Sequence, residues 1–328
     1  MDTVEQIIQE VRELMDEENT DTISDSAIIN ALNRAQEHVV SIYSKHYAEP
    51  YIGYKDYVLS ASQTRYPLPK DAFSDRVIDV GIVETTNNGS WYPVTYIRNK
   101  QAIKQRHTGK YGYPDYYTIQ RRQIEFIPEP SGSQFKVRVY YIQRPEKLTK
   151  SQGRITGLHN AENRIQVNSL GSSLETINDN LHNFINVIDS QTGEVKATYE
   201  IDELNTTTQS VIFKASPTRT TIAGKSINTS INEVVDEEGN PSIELDDHIC
   251  LYSGTCIPYF DEPSRNYMIQ SAVVQLTTSL GNQGAAEEQQ KSQFEKEVKD
   301  AWSGRELGLR IDLKGRQWER NRYRFYRR

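Results

Sequence analysis

Residues 4–43 read VEQIIQEVRELMDEENTDTISDSAIINALNRAQEHVVSIY, and this stretch indicates two successive amphipathic helices. Apolar residues recur at helical spacing from Val4 to Met15, with Asp2 and Glu5 placed as a predicted cap pair. The second helix is predicted to start after Ser24, and its apolar stripe contains Ile28, Ile29, Leu32, Ala35, Val39, Ile42 and Tyr43. The short polar link between the helices favours an antiparallel pair.

From Tyr51 the apolar pattern changes from helical spacing to alternation. We expect a strand that ends at Pro67 and Pro69, two strands around the Asn-Asn-Gly turn at 87–89, and two alternating runs on either side of Gly132. These runs predict a small antiparallel sheet, with a short helix over residues 103–107.

The composition shifts at about Ser151. Between 151 and 245, Asn, Ser and Thr make up a third of the residues, with one Tyr, no Trp and no Cys. Short β-rich runs (RITGL, RIQVNSL, FINVID, EVKATYEI and SVIFKA) are separated by turns such as Ser-Gln-Thr-Gly at 190–193. The segment is therefore predicted to be an inserted β-sandwich or barrel module.

After a strand or buried apolar run around 246–260, helical spacing returns from Met268 to Leu280. A more polar helix follows, with Phe294, Val298, Ala301 and Trp302 as its contact stripe. The predicted fold class is α+β: an antiparallel helical bundle from both ends of the chain, a small antiparallel sheet, an inserted all-β module and an extended arm. The predicted domains are 1–150 and 246–303 for the core, 151–245 for the module and 304–328 for the arm.

Common catalytic and cofactor-binding motifs are missing from the sequence: there is no P-loop, no G-x-G-x-x-G after a strand and no H-E-x-x-H. The spacing of His248, Cys250 and Cys256 matches no common zinc site, so buried structural thiols are favoured. The acidic run 236–238 lacks the alternating ligands of a calcium loop and is better explained as a solvated turn. We expect no enzyme activity, no cofactor and no metal.

The last residues of the chain, KGRQWERNRYRFYRR at 314–328, carry about six net positive charges, whereas the whole chain carries −7. These residues show no helical or alternating apolar pattern, so we do not expect this arm to fold alone. Its arginines suit carboxylates or phosphates and its aromatic rings suit pockets. The predicted docking residues are Lys314, Arg316, Trp318, Arg320, Arg322, Tyr323, Arg324, Phe325, Tyr326, Arg327 and Arg328.

Three explanations of the arm remain open: a disordered solubilising tail, a nucleic-acid-binding tail, and an arm inserted into a partner protein. The aromatic residues argue against the first explanation. The remaining residues carry about −13, which weakens the second, because a nucleic-acid binder usually presents basic surface from its fold as well. Insertion into a partner protein is favoured, and the high Tyr content, 20 against 8 Phe, also suits interfaces.

Several segments together resemble the head-to-tail adaptor, or connector, proteins of tailed bacteriophages. The segments are the helical stretch at 11–39, RYPLPKDAFSDRVIDVGIVE at 65–84, GYPDYYTIQRRQIEFIPEPS at 112–131, VRVYYIQRPEKL at 137–148 and FDEPSRNYMIQSAVVQLTTSLGN at 260–282. The resemblance covers roughly 1–150 and 246–302. The Ser/Asn/Thr-rich insert departs from the compact family pattern.

The resemblance implies a podovirus-like ring, typically of twelve copies, that lies beneath the portal and clasps it with a C-terminal segment. The partners would be the portal protein, identical subunits and further tail proteins such as a nozzle, a second ring or fibres. Genomic DNA would pass through the channel without sequence-specific binding, and no membrane would be involved. The expected location is the neck or tail of the virion, after assembly in the host cytoplasm. The alternative is a tail protein that binds nucleic acid or recognises the host surface.

Overall fold

The computed structural model describes residues 2–15, 23–43, 51–60, 63–83, 91–98, 101, 111–112, 114–130, 136–171, 174, 183–217, 221–222, 225–231, 243–252, 254–258, 260–280 and 288–299. The chain divides into two compact units. One unit contains Val40–Pro145, and the other contains Met1–Val39 with Glu146–Arg328. The domain boundaries expected from composition follow a different division and stay a prediction.

The chain begins with two helices, α1 (Val4–Leu14) and α2 (Asp25–Tyr43). The cap pair of α1 was predicted wrongly: Thr3 is the N-cap residue and forms a reciprocal capping box with Gln6. A capping box needs residues three apart that start at the N-cap, so Asp2 and Glu5 are one position too early. Asp2 instead pairs with Arg265, and Glu5 accepts a hydrogen bond from the Ser151 backbone N–H.

In its described residues, the unit Val40–Pro145 contains ten strands after the end of α2. They are β1 (Ile52–Val58), β2 (Arg65–Pro67), β3 (Ala72–Val83), β4 (Trp91–Pro93), β5 (Thr95–Tyr96), β6 (Tyr111–Gly112), β7 (Tyr116–Gln120), β8 (Gln123–Ile127), β9 (Glu129–Pro130) and β10 (Lys136–Gln143). Two four-stranded sheets form, in the orders β1-β10-β3-β4 and β2-β8-β7-β5, and β6 pairs with β9. Where the sequence predicts a single small sheet, the described residues form two four-stranded sheets and one two-stranded sheet.

The core of this unit combines side chains from both four-stranded sheets. Val80, Val137 and Val139 from the first sheet are fully buried and belong to the same cluster as Ile124 and Phe126 of the second. Three rings connect the sheets: Tyr66 lies 5.7 Å from both Tyr57 and Phe126, centroid to centroid. Because each strand alternates its side chains between two faces, burying one face of the first sheet leaves its other face outward.

The other unit contains a closed six-stranded barrel. Its strands, in chain order, are β12 (Gly153–His159), β13 (Arg164–Val167), β14 (Phe184–Ile188), β15 (Val195–Asn205), β16 (Ser210–Phe213) and β19 (His248–Leu251). Their order around the barrel is β12-β13-β16-β15-β14-β19. The five β-rich runs predicted from sequence are five of these strands, and the sixth lies beyond residue 245. Two short pairs accompany the barrel: β11 (Lys147–Leu148) with β20 (Gly254–Thr255), and β17 (Thr221–Ile222) with β18 (Lys225–Ser226).

Two further helices follow the barrel, α3 (Glu262–Ser279) and α4 (288–299). Helix α3 is buried on nearly every side, as expected for a helix with neighbours all round. Its Met268, Ala272 and Val273 share a core with Ile7 of α1 and Leu32 of α2. The ends of the chain therefore pack together, while the antiparallel four-helix bundle as a whole stays a prediction.

Candidate interaction surface

The predicted docking arm, Lys314–Arg328, lies outside the described residues, and so do Ala301 and Trp302 of the predicted contact stripe. Within α4, Val298 is fully buried and Phe294 is partly buried, as the predicted stripe requires. The described residues nevertheless present a surface that could receive a partner, and it lies on the first sheet of the unit Val40–Pro145.

We call this surface the outer sheet face. It consists of outward-facing positions on the four neighbouring strands β1, β10, β3 and β4: Tyr54, Asp56, Val58, Asp79, Gly81, Trp91, Lys136, Arg138 and Tyr140. Val58 and Tyr54 are 66% and 57% exposed, which is unusual for large apolar side chains on a regular sheet. The opposite face of the same sheet is core.

Aromatic rings from three strands form a continuous row across this face. The centroid of Tyr140 lies 6.0 Å from that of Tyr54 and 5.6 Å from that of Trp91. Trp91 reaches Tyr140 across β3 because Gly81 lies beneath its ring: a Cβ atom at Gly81 would be 2.3 Å from two ring carbons of Trp91. The glycine thus allows an indole to lie flat on the sheet.

Arg138 shows how a guanidinium binds to this surface. It lies over the Tyr54 ring, 4.2 Å from the centroid, and donates to both carboxylate oxygens of Asp56 at 2.8 and 3.1 Å. Lys136 also contacts Asp56, at 2.7 Å. The hydrogen bond from Arg138 lowers the pKa of Asp56 despite the opposing effect of burial. The face therefore combines stacking and fork-like carboxylate contacts, the two binding modes of arginine.

Sequence reasoning did not single out the outer sheet face. Its signal was present as alternation: Tyr54, Asp56 and Val58 are separated by two, as are Lys136, Arg138 and Tyr140. Alternation alone does not show which face of a strand is buried, because both sets of alternating residues on β1 and β10 contain tyrosines. The pairing of Tyr54 with Tyr140 is what places these residues together.

A second charged cluster lies in the barrel, where Lys196 contacts two carboxylates. Its ammonium is 2.7 Å from Asp189 and 3.0 Å from Asp247, whose side chain is fully buried. The backbone N–H groups of Ser190 and Glu244 also donate to Asp247. Burial alone would raise the pKa of Asp189, but hydrogen bonds from Lys196 and from the backbone lower it to about 2. Every polar partner here is internal, so the cluster is structural.

The two cysteines lie in the same unit, and both thiols are free and buried. Burial raises the pKa of the Cys250 thiol, and its neighbour Cys256 adds to the effect, so neither reactivity nor ligation is favoured. Among the described residues, no group of three or more His, Cys, Asp or Glu is arranged to hold a metal ion.

A serine–histidine contact occurs where the barrel meets α1. The Ser151 Oγ lies 3.1 Å from His248 Nδ1. The same hydroxyl also donates to the carbonyl oxygen of Gly153 and accepts from its N–H. Since a hydroxyl has a single proton, donation to the Gly153 carbonyl leaves Nδ1–H of His248 as the donor to Ser151. That polarity is opposite to that of a nucleophile activated by histidine.

Comparison with known families adds a finding that the geometry alone does not give. A family model described as SU10 adaptor protein matches residues 2–165, which is half of the chain. The match spans α1, α2, the whole unit with the outer sheet face, the first strand of the barrel and the start of the second. No curated protein matches the chain. Within the described residues, no helix is long and apolar enough to span a membrane.

Proposed function

Because the chain belongs to the SU10 adaptor protein family, it is a phage adaptor protein and a virion component, and we propose that it forms a ring joining capsid to tail. In this proposal the ring has twelve copies, lies beneath the portal and continues the channel for the DNA. The arm at 314–328 docks on the portal or on a neighbouring subunit. The observation on which this proposal rests is the family match over residues 2–165.

The common core of the two chain ends supports this role. Helix α1 and helix α3 are separated by more than two hundred residues, yet Arg265 of α3 contacts Glu10 and Asp2 of α1. Helix α4 contacts α2, since His38 Nε2 of α2 lies 4.0 Å from a carboxylate oxygen of Glu295 in α4. Helix α4, which precedes the arm in sequence, thus packs against another helix. A packed helix suits an arm that must bind its partner at a defined position.

Charge supports a role around DNA. The residues outside the arm carry about −13. An acidic wall would repel the phosphates of a duplex, so the DNA would slide through the ring rather than bind to it. The proposal therefore places DNA in the channel without sequence-specific contacts, and it requires neither catalysis nor a cofactor.

Most of the barrel lies beyond residue 165, where the family match ends, so its partner is a separate part of the proposal. We infer that it faces further tail proteins, such as a nozzle, a second ring or fibres. The subunit would assemble in the host cytoplasm and end in the neck of the virion.

A mass measurement on the intact chain, alone and with a portal ring, tests the proposal. We expect a defined multiple of the 37.7 kDa subunit in the presence of the portal. A chain that remains monomeric and does not bind portal rings at any subunit concentration would contradict the ring, although not the family membership.

A further inference from the structure

The outer sheet face has the chemistry to receive the C-terminal arm. We propose that residues 314–328 of a neighbouring copy dock on it, an inference that rests on the proposed ring because it needs adjacent copies. The inference rests on the contact of Arg138 with the Tyr54 ring and the Asp56 carboxylate. The arm contains several arginines and aromatic rings, which can make contacts of the same kind.

The sequence of the arm alternates arginines with other residues, so an extended arm would present its arginines to this face. In an extended chain, Arg320, Arg322 and Arg324 lie on one side, and Tyr323 and Phe325 lie on the other. Successive side chains on one side are about 6.6 Å apart. The ring row has a comparable spacing, with centroids 5.6 and 6.0 Å apart. A guanidinium of the arm could therefore meet Tyr140 or Trp91, beside the Tyr54 ring that Arg138 already covers.

The charges of the two surfaces are compatible. The arm carries about +6 and the rest of the chain about −13. On the face itself, Lys136 and Arg138 share the carboxylate of Asp56, whereas Asp79 is exposed and has no ion-pair partner in the part of the chain that the structure describes. Asp79 Oδ1 accepts a hydrogen bond from the Val80 N–H at 2.8 Å. Its carboxylate thus makes no ion pair with the described residues and lies beside Tyr140, its cross-strand neighbour.

The arm is long enough to reach an adjacent copy. Its fifteen residues extend to roughly 50 Å at about 3.3 Å per residue, and residues 301–313 add further length. Stacking of arginine on an aromatic ring is weak at an exposed site, so such contacts would act together mainly within a multivalent ring.

Crosslinking between two full-length variants, each with one added surface cysteine, tests this inference. V58C places a thiol at the exposed end of the face, and N321C places one in the arm without removing an arginine or a ring; the native thiols are buried. Mixing the two variants with a short bismaleimide reports only contacts between copies. L14C, whose side chain is also about half exposed, is the matched control for V58C.

We expect V58C with N321C to crosslink roughly tenfold faster than L14C with N321C, as a raised local concentration predicts. Tyr54→Ala should remove most of this excess, whereas Tyr96→Ala, an exposed tyrosine on the other sheet, should not. Equal rates for V58C and L14C, in free and portal-bound samples, would overturn the inference. Ring formation is measured separately by mass, so a ring without the crosslink leaves the proposed function standing.

Discussion

Leu32 is fully buried in the core shared by α1, α2 and α3, seven residues before the equally buried Val39 on the same helix. Leu32→Ala should lower the free energy of unfolding by about 2–5 kcal/mol, because it removes buried methyl groups and leaves a cavity. Urea unfolding followed by helical circular dichroism measures this. Leu14→Ala is the control: Leu14 is 54% exposed, and its replacement should change stability by less than about 0.5 kcal/mol.

The ion cluster around Lys196 makes the barrel sensitive to acid. The folded-state pKa of Asp189 is lowered from 3.8 to about 2, so its contribution is present above pH 4 and lost as the pH falls towards 2. A shift of that size corresponds to about 2 kcal/mol. Between pH 5 and 2, the wild-type chain should therefore lose about 2 kcal/mol more stability than Asp189→Asn. Identical pH profiles for the two proteins would show that the ion pair contributes nothing.

At the scale of elements, the strand β3 illustrates how one glycine shapes a surface. Gly81→Ala would place a Cβ against the Trp91 ring, so the indole must leave its position over the sheet. We expect a loss of about 1–3 kcal/mol, typical of overpacking, and a changed near-ultraviolet dichroism signal. Gly157→Ala is a suitable comparison, since its Cβ would meet Gln166 at 3.4 Å, an ordinary contact. A near-ultraviolet signal unchanged from wild type would mean that Trp91 does not lie over Gly81.

The helices were predictable from sequence, because their apolar spacing extends over many residues and chance alternatives are few. The β-structure was harder. The hairpin between β7 and β8 turns at Arg121 and Arg122, both with positive φ values of 52° and 58°. Such a turn is usually marked by Asn or Gly, so two arginines gave no signal. The pairing of β5 with β7 is parallel and remote in sequence, and no local pattern indicates it.

The composition of residues 151–245 indicated a separate β module, but it did not show that β19, beyond residue 245, belongs to the barrel. β19 pairs with both β12 and β14 and closes the barrel. In the sequence, however, it is part of the apolar run at 246–260 that leads to α3. Closure depends on contacts between residues far apart in sequence. A boundary placed by composition therefore stopped before it.

At the scale of the whole molecule, the barrel should be removable if the cut respects this strand. β11 and β20 pair on either side of it, and the N–H of Thr149 donates to the Thr255 carbonyl at 2.9 Å, so the two ends are adjacent. Replacing 151–251 by a short Gly/Ser linker should leave the helical dichroism and the thermal midpoint of the helices in place. Replacing 151–245 should instead expose Ile249 and Cys250 and cause aggregation. If the first deletion unfolds the helices, the barrel is part of their core.

Truncation of the arm tests whether the arm binds protein or nucleic acid. A chain truncated after Leu313 should lose portal binding, because without the arm neighbouring copies are no longer joined into the ring that binds the portal. Trp318, Phe325 and Tyr326 are expected to supply most of the apolar area that the arm buries. Binding of the full-length chain should weaken only in part between low and high salt, since salt screens the arginine contacts but not the aromatic ones. Duplex DNA should bind poorly to both proteins across the whole salt series. Portal binding retained on truncation would contradict the clasp, above all if the full-length chain binds DNA with an affinity that falls steeply with salt and disappears with the arm. Arg320, Arg322 and Arg324 would then contact phosphates rather than a protein.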